Sequence, residues 1–192
     1  MTTFLILAPF GLFALLMLVT SAEISLFAAA AICLAVIGLD ICRGRSIKML
    51  GAGCVVVFTA LGAYVTLIDP NLSSSAVKLM TDVGVLVISL ASLIIGRPFV
   101  LQYALEEVDA ATAKLPGFRK ATYIITWAWT AAFVLMIAGN VLTIYVPGLP
   151  LWSGLVIAFA ARNSAAFFTA WYPQYRKAKY GAPPANAMPG TH

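Results

Sequence analysis

The stretch VIAFAARNSAAFFTAWYP, residues 156–173, holds one permanently charged side chain, Arg162, inside an otherwise apolar run. A guanidinium so placed can do three things. It can grip a carboxylate or phosphate with its planar fork of donors. It can tie neighbouring helices together through their oxygen atoms. It can meet a lipid headgroup or a partner subunit. Arg162 lies roughly eleven residues, about 16 Å, from either end of its run. An arginine at such depth costs about 2.5–3.5 kcal/mol on insertion scales, so its face must look into a bundle. Gly154, Ala158, Ala165, Ala166 and Thr169 share that face, and small residues let helices approach closely. Asn163 and Ser164 add polarity beside it.

The groups able to answer Arg162 are few. Asn140, on a stripe with Thr126, Thr130, Phe133 and Ile137, ranks first together with backbone carbonyls. Asp82 ranks next, on a stripe with Ser89, Ser92 and Gly96. A plainer reading of Asp82 is an i,i+4 pair with Lys78 at the membrane surface. Asp40 stands close to Arg43, and an interfacial salt bridge explains it. Arg162, Asn140, Asp82 and Asn163 therefore form the expected polar centre, ligand-binding or structural.

Catalysis finds little support. Ser153 and Ser164 have no histidine to serve them, because His192 is the sole histidine. That single histidine also excludes bis-histidine haem ligation within one chain. No HExxH, GxSxG, Walker A or GxGxxG motif occurs. Three cysteines without CxxC spacing argue against a disulfide framework or a zinc site; Cys33, Cys42 and Cys54 read as buried thiols. The expectation is a non-enzymatic protein with no cofactor and no metal.

The elements that must position these residues are membrane spans. The chain of 192 residues is 62% hydrophobic and 10% charged, against roughly 25% charged in soluble domains. Several apolar runs approach the ~20 residues that cross a bilayer. The reading is an all-α polytopic helix bundle of six transmembrane helices, at about 3–21, 24–41, 49–68, 79–96, 121–145 and 151–172. The first is read as an uncleaved span, since it lacks a basic leader and a second apolar run follows at once. Ser73–Ser75 supply cap chemistry for the fourth, VPGLP turns the chain before the sixth, and Pro173 ends it. Residues 174–192, with GAPPANAMPGTH, read as a disordered cytoplasmic tail.

Ten of the twelve basic residues fall in one set of loops, one (Lys78) in the other, and Arg162 within a span. The richer set belongs in the cytoplasm, which places both termini there. The net charge of +5 thus reports orientation and not nucleic-acid binding. Trp152, Trp171, Tyr172 and Tyr145 near span ends suit an aromatic belt.

The segment RPFVLQYALEEVDAAT, residues 97–112, reads as a short amphipathic cytoplasmic helix. Pro98 suits its first position, and Gln102, Glu106 and Asp109 form a polar stripe. It packs on the protein's own basic loops, or it offers Arg97, Gln102, Tyr103 and Glu106 as a docking face for a protein partner.

Residues 78–146 resemble the intracellular septation protein A family of bacterial inner-membrane proteins, as a divergent branch. The resemblance rests on Lys78, on Gly96-Arg97-Pro98-Phe99 with Leu101 and Gln102-Tyr103, and on Leu115-Pro116 with Phe118 and Arg119. It continues through Trp127 or Trp129, Phe133, Gly139-Asn140 and Tyr145. The chain departs from the family in its long 97–112 segment and in Arg162. The resemblance implies a role in the cell envelope or in cell division, in the inner membrane, and implies no reaction and no ligand residues.

Three functions follow from this reading. The first is a non-enzymatic envelope scaffold whose buried polar groups tie helices together. The second is a small transporter or channel with an intramembrane anion site at Arg162. The third is an accessory subunit of a larger membrane complex. Membrane lipids are the expected surroundings. A scaffold needs Arg162 satisfied by protein atoms; a transporter needs a cavity that reaches it.

Overall fold

The computed structural model describes residues 11–180 apart from Leu18 and Pro147. Every regular element among them is a helix. Residues 11–17 are helical (α1). Then come α2 (Ala22–Cys42), α3 (Met49–Leu67), α4 (Ser74–Ile94), α5 (Phe99–Ala104), α6 (Ala110–Ala113), α7 (Pro116–Tyr145) and α8 (Leu151–Tyr180). Serine hydroxyls open two of them by taking up amide hydrogens that the first turn leaves unpaired. Ser21 Oγ accepts from the Ile24 amide, and Ser73 Oγ from that of Ala76. Gly44, at φ +69°, turns the chain out of α2, a conformation only glycine adopts without penalty.

Four of the helices, α2, α3, α4 and α7, are long and apolar enough to cross a membrane. Their outward faces carry large hydrophobic side chains. Val56 is 66% exposed, and Ile94 is 85% exposed. Such a surface suits hydrocarbon and would drive aggregation in water. The chain is thus compatible with an integral membrane protein.

Glycines set the packing between neighbouring helices. A Cβ on Gly53 would meet Ile88 at 2.7 Å, and one on Gly84 would meet Val57 at 2.7 Å, so α3 and α4 interlock reciprocally. α7 and α8 do the same, Gly139 receiving Ile157 and Gly154 receiving Thr143. Phe27 of α2 lies over Gly62 of α3. Phe13 of α1 sets its ring 5.4 Å from that of Phe58, whose side chain is fully buried in α3. These small-residue contacts are what associates helices where the surrounding lipid offers no hydrophobic drive.

Several sequence expectations change. Pro173 does not end its helix: α8 runs through it to Tyr180. Proline forfeits one main-chain bond and crowds the carbonyl one turn back. Contacts beyond it hold the last turns. Arg176 donates to the Gly117 carbonyl at 3.1 Å, and Trp171 stacks on Tyr175 at 5.0 Å. Residues 174–180 of the expected tail are therefore helical; 181–192 lie outside the described residues, as do residues 1–10 of the expected first span. The 97–112 segment is not one helix. It breaks at residues 105–109 into α5 and α6, with Pro98 in the cap position before α5. α4 starts five residues earlier than expected and α7 at Pro116, a residue suited to a first turn. Cys33 and Cys54 are buried as expected, whereas Cys42 is exposed at the end of α2.

Candidate functional site

Two polar stripes read from the sequence meet where α4 packs on α7. Ser89 and Thr130 lie 2.8 Å apart. Thr130 spends its hydroxyl hydrogen on the Thr126 carbonyl, so Ser89 is the donor of the pair. Farther along this antiparallel seam, Asn140 Nδ2 donates to Asp82 Oδ2 at 2.6 Å. The expected pair between Asp82 and Lys78 does not form: among the described residues no ion pair involves either side chain.

α8 completes the site. Gly139 against Ile157, and Trp129 Nε1 donating to Thr169 Oγ1 at 2.9 Å, fix its register on α7. That register turns Arg162 inward, onto the same cavity as Asp82. Asn140, ranked first as the partner of Arg162, is instead the partner of Asp82. Among the described residues Arg162 has no hydrogen bond and no ion pair, although it stands within electrostatic reach of Asp82. Its donor hydrogens thus have no acceptor among the described residues, and the half-buried side chain lines the cavity. Asn163 points away. It is exposed and donates to the Phe159 carbonyl of its own helix at 2.7 Å, so it lies off the polar centre.

The cavity measures about 210 Å³ and is mostly apolar. It follows α7 from Phe118 to Met136, a run of about 27 Å at 1.5 Å per residue. The cavity is therefore elongated along α7. Asp82 and Arg162 lie toward its Met136 end. Glu107, Phe118 and Pro173 lie at the other, beside α5 and the start of α7. Ile125, Trp129 and Phe133 form the wall between.

A second polar cluster closes the α5 end of the bundle. The turn after α2 brings Lys48 back onto Asp40, Nζ to Oδ2 at 2.6 Å. Glu106 approaches the same ammonium at 3.2 Å. Arg45 stands 3.8 Å from both carboxylates. Lys48 is only 4% exposed, and its ammonium also sits 5.3 Å from the centre of the Tyr103 ring. Gln102 Oε1 accepts from the Met49 amide at 2.6 Å, which caps the start of α3. Burial pushes the Tyr103 phenol well above its usual range, with Asp40 and Glu106 adding to the rise, so it stays neutral.

Of the expected docking face, Gln102, Tyr103 and Glu106 are thus engaged inside the chain, and Arg97 alone is exposed. Asp40 pairs with Lys48 and not with Arg43. Sequence reasoning missed Lys48 as a buried partner because it counted only as a loop charge. The available signal was the short loop itself. Asp40 and Lys48 flank a glycine turn and sit at adjoining helix ends.

Among the described residues no three His, Cys, Asp or Glu side chains gather as a metal site. No family model, curated relative or solved structure matches the sequence.

Proposed function

We propose that this chain is a six-span inner-membrane protein, both termini in the cytoplasm, that binds an anionic amphiphile inside its helix bundle. Arg162 holds the anionic head, a carboxylate, phosphate or sulfonate. The apolar body lies along Ile125, Trp129 and Phe133 toward α5. A binding or transport role of this kind sits within the envelope placement that the resemblance implies. The orientation rests on the ten basic residues gathered in one set of loops.

One observation carries the reading: Arg162 lines a cavity and, among the described residues, lacks a hydrogen-bond acceptor. A pure tether would have its guanidinium occupied by oxygen atoms of adjacent helices, since an unpaired buried charge is costly. The shape supports the ligand class. An elongated, mostly apolar cavity with Arg162 toward one end matches a molecule with a charged head and an apolar body, and apolar walls with a few convergent polar groups are the usual make-up of such sites.

The test is calorimetric titration of the protein in nanodiscs, with empty nanodiscs as blank. The expected result is saturable binding of decanesulfonate and none of methanesulfonate or decanol at the same concentration. Arg162→Met should weaken decanesulfonate binding by about tenfold or more, as loss of a charged hydrogen bond implies. Equal binding by the variant would refute the site.

A further inference from the structure

The geometry points to proton-linked binding: when an anion settles on Arg162, Asp82 takes up one proton from solvent. This rests on the binding reading above and adds to it a second chemical species. In the unliganded cavity Asp82 and Arg162 face one space from α4 and α8, without touching, and their opposite charges offset one another. An arriving anion places two negative charges around one guanidinium. In surroundings of low dielectric, where unit charges interact strongly, the excess charge is best relieved by a proton.

The neighbours of Asp82 favour it as the acceptor. From α7, Asn140 donates to Oδ2. A protonated carboxyl keeps an oxygen able to accept that bond, so the seam between α4 and α7 survives. From α8 the facing charge is Arg162, which the ligand engages. On its own helix the nearest charge is Lys78, one turn away. α3 contributes Leu50 to the cavity, and α5 contributes Tyr103, which stays neutral. The one other acid on the cavity wall is Glu107, which is exposed at the far end. The step balances simply. A carboxylate oxygen gains a hydrogen ion from solvent hydronium or a buffer acid, whose bond to that hydrogen breaks and whose conjugate base stays in solution.

The test counts protons in the full chain in nanodiscs, at low buffer concentration, with decanesulfonate as probe. Its head keeps its charge at every pH used, so any proton taken up belongs to the protein. One proton per decanesulfonate is expected, with affinity falling about tenfold for each unit of rising pH where uptake is complete. Infrared difference spectra should gain a protonated-carboxyl band on binding. Asp82→Asn should bind with no uptake and no pH dependence; Glu107→Gln, the other cavity acid removed, should keep one proton taken up per decanesulfonate bound. Should Asp82→Asn fail to fold, uptake and the carboxyl band retained in Glu107→Gln still assign the proton away from Glu107. Binding without uptake overturns the proton linkage and leaves the anion site standing. So does uptake lost in Glu107→Gln and kept in Asp82→Asn. No binding by the unmodified protein overturns both.

Discussion

The two polar clusters of this bundle are built on opposite plans. At the α5 end, Asp40, Lys48 and Glu106 close on one another at 2.6 and 3.2 Å, and an aromatic ring covers the ammonium. Along the cavity, Asp82 is held by an amide, and Arg162 is held by nothing from the described protein. The first cluster has spent its charges on the fold. The second keeps one in reserve. Charges closed on opposite charges report on structure, although both Glu106 oxygens lack a hydrogen-bond donor, and a half-buried charge on a cavity wall points to a ligand.

Removing Lys48 should break the contrast most visibly. Lys48→Ala leaves Asp40 and Glu106 facing each other with little water, and stability should fall by about 3–5 kcal/mol. Denaturant unfolding in mild detergent, followed by circular dichroism, measures it. Replacing all three charges together, Asp40→Leu, Lys48→Met and Glu106→Leu, should recover most of that loss, since well-packed apolar residues substitute for closed ion pairs. A single variant as stable as the parent would mean that the cluster holds nothing.

Arg162→Met should show the reverse pattern. It takes away a charge that has no hydrogen-bond acceptor among the described residues, and Asp82, left facing the cavity, can be neutralised by a proton, so unfolding should move by less than about 1 kcal/mol. A loss as large as that of Lys48→Ala would reclassify Arg162 as a tether and erase the distinction. Ser89→Ala gives the smallest effect. It removes the hydroxyl shared with Thr130, and intramembrane hydrogen bonds average about 0.6 kcal/mol. The same unfolding assay should register a shift of that order, without change in decanesulfonate affinity.

How far the sequence foretold this depends on the range of the contact. α2 and α3 ran close to their expected limits, whereas α4 began just after its capping serine, five residues ahead of the expected span. The inward facing of Asp82, Ser89, Thr126 and Thr130 followed from helical periodicity, which each helix carries within itself. Which stripe met which did not follow. Asn140 could equally serve Arg162 or Asp82 until the register of α7 on both neighbours was known. The break at residues 105–109 was hidden for the same reason. An unbroken amphipathic helix satisfies local pattern, while Glu106, inside the break, reaches Lys48 and Arg45 from the distant turn after α2. Pro173 misled because its local penalty is real, while Arg176 is anchored on Gly117, which lies far outside the window in which a proline is judged.

The notched glycines of α3 with α4, and of α7 with α8, have a mechanical consequence. Each pair is keyed at two depths, so neither can slide without driving a branched side chain into a backbone. The border between the pairs is of another kind, since α4 meets α7 through hydroxyls and an amide. The cavity wall draws on both sides of that border, so sliding there would break hydrogen bonds where sliding within a pair would meet a steric key.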